Sequence, residues 1–196
     1  MRLVVATALG AWLAIAAPSA QSNMARPEKY TAFAVDISNT SPGARTSPVD
    51  ITISRWSTDA ERDQLLSTLR DKGQDALLEA LQKLPVVGYI NTPGSLKYDL
   101  HFALQRPESE GGRMVFLMTD RYIGAWEAVN RPRTIDYPFT LIEMRIGPDS
   151  EGEGKMSLFT KVMYDKKRNQ IVLENYASQP VLLTKVRRES ANTAAR

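Results

Sequence analysis

The chain contains no cysteine. Disulfides, thiolate metal sites and lipid attachment to a processed N-terminal cysteine are therefore excluded, and the domain must be held by its core alone. There is one histidine, His101, and no histidine-rich metal spacing. There is no phosphate-binding glycine loop, and aromatic and basic residues do not alternate along strands as in readers of single-stranded RNA. No metal, cofactor or nucleic acid is expected on these grounds. The longest apolar run, Leu3 to Ala17, falls short of the roughly 20 residues a membrane-spanning helix needs. The formal charge of +3 is near neutral for a chain of this length, so global charge selects no partner.

What the N-terminus does contain is an address. Arg2 supplies a positive charge, Leu3 to Ala17 is apolar, Pro18 breaks the run, and Ser19-Ala20 offers small residues for cleavage before Gln21. This order predicts a secretory signal peptide over residues 1–20 and a protein that is secreted or periplasmic. Residues 21–29 read as a flexible lead-in, 30–188 as a single globular domain, and 189–196 as a flexible tail. A domain of that size buries about 70% of the surface its unfolded chain exposes.

Within the domain, Tyr30 to Ser38 and Val49 to Trp56 alternate as strands, separated by a Ser/Thr/Pro/Gly loop that carries the glycosylation triplet Asn39-Thr40-Ser41. Thr58-Asp59-Ala60-Glu61 fits a capping box. Leu65, Leu66 and Leu69 then form one apolar stripe. After Gly73, Leu77, Leu78, Leu81 and Leu84 form a second, which Pro85 stops. From Val86 onward the pattern is strands and turns, with strands at 86–91, 97–106, 113–120, 134–147, 154–165, 169–177 and 181–187. Short turns suit antiparallel neighbours.

Strand 97–106 places Tyr98, Leu100, Phe102 and Leu104 on one face and Asp99, His101 and Gln105 on the other. Strand 113–120 is apolar on both faces, which implies cover on both and makes Phe116 a candidate for deep burial. The expected fold is α+β: a strongly bent antiparallel sheet or flattened β-barrel, mainly a meander, with a two-helix segment at about 58–84 packed on it.

Candidate chemistry is sparse. Asp99 and His101 are two apart on one strand, so their side chains share a face and could pair for base catalysis. Asp120 and Glu127 flank the aromatic-rich segment Arg121 to Trp126 and could act as paired carboxylates. Asp136 completes the set. For each, the simpler reading is structural: a wet surface pair for Asp99 and His101, and capping of an irregular connection for Asp120. Gly124-Ala125-Trp126 is similar to the Gly-x-Trp element of lipocalins and Thr119-Asp120 to their later Thr-Asp element, but the order is reversed and the position is mid-chain, so membership is not implied. Glu143 and Arg145 are two apart on one outer face and read as a structural ion pair.

If the strands after 97 form an up-and-down meander, alternate turns lie at opposite ends. Glu108, Glu110, Asp149, Glu151 and Glu153 then fall at one end. Lys166, Lys167, Arg168, Arg187, Arg188, Arg131 and Arg133 fall at the other, as a patch for an anionic envelope partner. The function expected is an exported, non-enzymatic binding protein for an apolar or amphipathic small molecule or an envelope component. The alternatives are a carboxylate- and histidine-dependent hydrolase or isomerase, and an envelope scaffold.

Overall fold

The structure is a computed structural model and describes residues 27–36, 45–93, 97–120, 136–176 and 179–189. The signal segment, the Asn39 triplet, Glu127, Arg131, Arg133 and the Gly124-Ala125-Trp126 element lie outside these residues.

Among the described residues, ten antiparallel strands and two helices make an α+β fold. The strands are β1 (Glu28–Asp36), β2 (Arg45–Ile53), β3 (Gly88–Asn91), β4 (Tyr98–Leu100), β5 (Phe102–Pro107), β6 (Arg113–Thr119), β7 (Phe139–Ile146), β8 (Glu151–Asp165), β9 (Gln170–Asn175) and β10 (Val181–Arg188); the helices α1 (Asp59–Lys72) and α2 (Gln74–Lys83) lie between β2 and β3. The sheet runs β4-β3-β2-β1-β10-β8-β7-β6-β5, with β9 attached to β8. The two ends of that order are consecutive in the chain, separated only by His101. β4 pairs with β3 and β5 pairs with β6, so one bent strand brings the sheet round into a nearly closed barrel.

Closure corrects the expected faces of the 97–106 strand. Alternation holds within each half but slips at His101. Leu100 and Ala103 both point into the barrel, while Phe102 packs outside beneath the helices. A continuous strand would have kept Leu100 and Phe102 together.

Two irregularities and two glycines let the sheet curl. Phe159, at φ 53°, sits where β8 passes from β7 toward β9, and Lys185, at φ 50°, marks a bulge in β10. Bulges of this kind increase twist and bend the strand. A Cβ on Gly152 would lie 1.9 Å from the Arg145 carbonyl oxygen, and one on Gly154 would lie 2.5 Å from that of Glu143. Only glycine allows β8 to approach β7 so closely, and β8 starts at Glu151, three residues before the expected start at 154.

The interior is packed with side chains. Tyr30, Val49, Ile51, Ile53, Val115 and Leu117 are among those that fill it. Inner and outer faces of β1 separate cleanly: Tyr30 is 1% exposed and Phe33 43%. One end is closed by charge. Arg113 reaches across from β6 to Glu28 on β1 (2.5 Å), and Tyr30 Oη donates to Glu28 (2.7 Å) while accepting from Arg113. Arg188 also lies 3.2 Å from Glu28, and the Arg113 guanidinium lies over the rings of Tyr30 and Trp56. Glu28 therefore belongs to β1 and its network, two residues before the expected start of the strand. Burial by itself would raise its pKa. The bonds from Arg113 and Tyr30 and the charges of Arg113 and Arg188 outweigh burial and hold it below the usual value.

The helices start as the capping box predicts. Thr58 Oγ1 accepts from Glu61 N (3.2 Å) and Glu61 Oε2 accepts from Thr58 N (2.8 Å). Glu61 also pairs with Arg55 at 2.8 Å. Ser57 exchanges two hydrogen bonds with Ala103, which pins the entry of α1 to β5. Gln74 Oε1 accepts from Val162 N (2.9 Å), which pins the start of α2 to β8. Leu65, Leu69, Leu77 and Leu81 are buried in a second cluster with Phe102, Phe139 and Val162, on the outside of the barrel.

Candidate functional site

β6 carries the main correction to the expected core. Val115, Leu117 and Thr119 face the barrel interior and are buried, whereas Met114, Phe116 and Met118 face outward and are half-buried. Both faces are apolar, as the sequence implies, but the helices cover only part of the outer one. Phe116 lies beside that cover and not beneath it.

The uncovered part forms a trough. Its larger hollow, about 300 Å³, runs between α1 and the outer face of β5 and β6, with Val162 and Ile171 across from the helix. A second hollow of about 220 Å³ shares Phe102, Phe116 and Met118 with the first and continues over Leu141, past the paired Glu143 and Lys155, to Leu173 and Asn175. The rim is apolar too: Leu66 is 39% exposed, Ile171 51% and Leu173 52%. β9 makes the far wall because β8 runs on beyond its pairing with β7 and turns back through Asp165–Gln170. The Leu66 position was visible in the helical stripe. Ile171 and Leu173 read only as ordinary strand residues, since nothing local marks β9 as the strand that leaves the barrel.

The charges in the larger hollow are Arg62 and Arg106. Arg62 is held by Asp59 (2.8 Å) and Asp63 (3.0 Å). Arg106 forms no ion pair among the described residues. Another hollow, about 320 Å³, opens over β7, β8 and β10 among Glu143, Arg145, Glu153 and Lys155. Glu143 and Arg145 do not pair with each other there. Glu143 meets Lys155 directly across the strands (3.1 Å), and Arg145 meets Glu108 (3.1 Å).

The expected catalytic set is only partly assembled. His101 Nε2 lies 3.9 Å from Asp120 Oδ1, and Gln82 Nε2 donates to Asp120 Oδ2 at 2.9 Å. His101 Nδ1 is 3.1 Å from the Leu84 carbonyl oxygen, which can only accept, so Nδ1 carries a proton. Asp99 is exposed and does not join this group. Thr119 Oγ1 donates to the Asp99 carbonyl oxygen (2.7 Å). Asp136 lies beside Gln74 at the first turn of α2, whereas Asp120 lies beside Gln82 near its last, roughly 12 Å away along the helix axis. The His101 group ties the end of α2 to the break between β4 and β5. Among the described residues no cluster of three or more His, Asp or Glu is placed to hold a metal ion.

The basic residues divide. Lys166, Lys167 and Arg168 occupy the β8–β9 turn and are exposed, at the far end of the 15-residue β8 from Glu151 and Glu153. Arg187 and Arg188 do not join them. β10 runs antiparallel to β8, with Arg187 opposite Glu151 in register and bonded to it at 2.7 Å. In a simple meander β10 would pair with β9 and end beside Lys166. Instead β9 and β10 both pair with β8, β9 along Thr160–Asp165 and β10 along Glu151–Met156.

No protein-family model matches the chain, and comparison with curated proteins and with solved structures finds no match.

Proposed function

We propose that this protein is an exported, non-enzymatic binding protein whose trough takes an apolar or amphipathic small molecule. One observation carries the reading. An apolar hollow and an adjoining, mainly apolar one sit beside a separate, well-packed core, rimmed by Leu66, Ile171 and Leu173, whose exposure the fold's own packing does not require. Exposed apolar side chains gathered around a concavity mark binding surfaces far more often than scattered ones do. The barrel interior is filled, so the ligand lies outside the barrel, between helix and hairpin. Export rests on the N-terminal address, and no described helix is long and apolar enough to cross a membrane.

The hydrolase or isomerase reading has less behind it. His101 and Asp120 approach each other beside the end of α2 and line neither hollow, with Asp99 and Asp136 outside their group. The anionic-partner reading narrows to Lys166, Lys167 and Arg168. The Lys166 charge also acts on Asp71 at the end of α1, which puts Arg70 and Lys72 in the neighbourhood of that turn.

The test is titration of the full protein with the neutral fluorescent probe N-phenyl-1-naphthylamine. Saturable binding to the wild type, reduced in Phe116→Ser and Leu66→Ser variants that keep their fold, supports the reading. Absence of saturable binding, or binding unchanged in both variants, refutes it.

A further inference from the structure

The alternation of β5 sorts the trough by polarity. Phe102, Leu104 and Arg106 are successive residues on the outer face of one strand, and all three line the larger hollow. In register across from them on β6 stand Met118, Phe116 and Met114. Along this row the surface is apolar for two steps and then ends in a guanidinium. Phe102 and Arg106 are four residues apart, about 13 Å along the strand. No carboxylate lines the hollow. Arg62 is already neutralised by Asp59 and Asp63, whereas Arg106 is exposed and forms no ion pair among the described residues.

A linear apolar groove with one uncommitted cation at its end is complementary to one kind of ligand. We propose that the trough binds a single-chain anionic amphiphile, its carboxylate or phosphate head on Arg106 and its aliphatic tail along Leu104–Phe116 toward Phe102–Met118. This inference rests on the trough being a ligand site, as proposed above, and adds the ligand's chemistry. Arginine suits the head because its planar fork can take two oxygens of a carboxylate or phosphate at once. A hollow of about 300 Å³ lies at the lower limit for small-molecule sites, roughly 300–1,000 Å³, and so suits one chain better than a two-tailed or polycyclic lipid.

The experiment displaces N-phenyl-1-naphthylamine from the full protein with decanoate, decan-1-ol and decyl phosphate, in low and high salt. Decanoate and decyl phosphate should compete about 3- to 10-fold better than decan-1-ol at low salt, and the advantage should shrink as salt rises, because the head group is at the solvent edge. Arg106→Gln should remove that advantage and leave decan-1-ol unchanged; Arg62→Gln should do less. Equal competition by the alcohol and the anions, equal loss of both in Arg106→Gln, or a larger loss in Arg62→Gln overturns the head-group assignment while the trough stands. Failure of the neutral probe itself to bind removes the trough and the inference together. If that failure comes with a dimer in native mass spectrometry, the occupant is a second copy of the chain.

Discussion

β6 divides the molecule into two regions that differ in what their apolar side chains are for. On its inner face Val115 and Leu117 belong to a core from which water is excluded, and the Glu28–Tyr30–Arg113 group closes one end of that core. On its outer face Phe116 and Met118 sit at the edge of a cluster the two helices cover only in part. Neighbouring residues of one strand thus have different duties. The inner face secures the fold, and burial there is complete. The outer face keeps apolar area in contact with water, a cost that folding by itself gives no reason to bear.

The contrast can be broken most forcefully at the closed end. Arg113→Ala removes one of the two arginines that pair with Glu28 and the cation over Tyr30 and Trp56. We expect a loss of about 3 kcal/mol in denaturant unfolding, the low end of the range for breaking a buried pair, because Arg188 and Tyr30 still hold Glu28. A loss below about 1 kcal/mol would show that this end is wet and ordinary. The next test uses adjacent residues. Leu117→Ala should cost about 3 kcal/mol, and Phe116→Ala, despite deleting a larger side chain, only about 1–1.5 kcal/mol, half of what full burial would give. Equal losses would erase the distinction between the faces.

Acid sharpens the same comparison. The folded pKa of Glu28 lies below its unfolded value, so its contribution is complete above the unfolded pKa and disappears as pH falls through the folded one. Stability measured downward from pH 7 should therefore decline below about 4.5, the ordinary value for a glutamate carboxyl, and Glu28→Gln should flatten that decline. An unchanged slope in the variant would remove Glu28 as a cause. Thr58→Ala, at the capping box that anchors α1 above the trough, should lose about 1 kcal/mol; an unaltered unfolding midpoint would mean the cap is redundant with the Arg55–Glu61 pair. Smallest of all, Ile171→Ser on the trough rim should shift stability by no more than about 0.5 kcal/mol and still weaken probe binding. A large destabilisation there would make β9 part of the core.

The local devices were legible because each is written in a short stretch of chain. The capping box, the leucine stripes, Gly73 between the helices and most strand positions depend on neighbours within a few residues. The candidate site was not legible in the same way. Strand 97–106 looks continuous because a one-residue slip at His101 leaves no mark in the pattern, yet that slip changes which face Phe102 occupies. Asp99 and His101 look like partners by spacing, and the break at His101 separates them. Phe116 looks deeply buried because its strand is apolar on both sides, and sequence cannot say where a helix stops covering a sheet.

The sequence by itself determined the antiparallel α+β class, the start of α1 and the polar turns, because backbone propensity, period-two alternation and capping are local. Tertiary structure alone decided that the sheet closes through β4 and β5, that β9 and β10 share β8 and so carry Arg187 to Glu151 and away from Lys166, and that Arg106 stands at the end of an apolar row with no ion pair among the described residues. These are pairings between residues far apart in the chain. Their geometry follows from how two glycines and two bulges bend a sheet, a collective property that no window of the sequence contains.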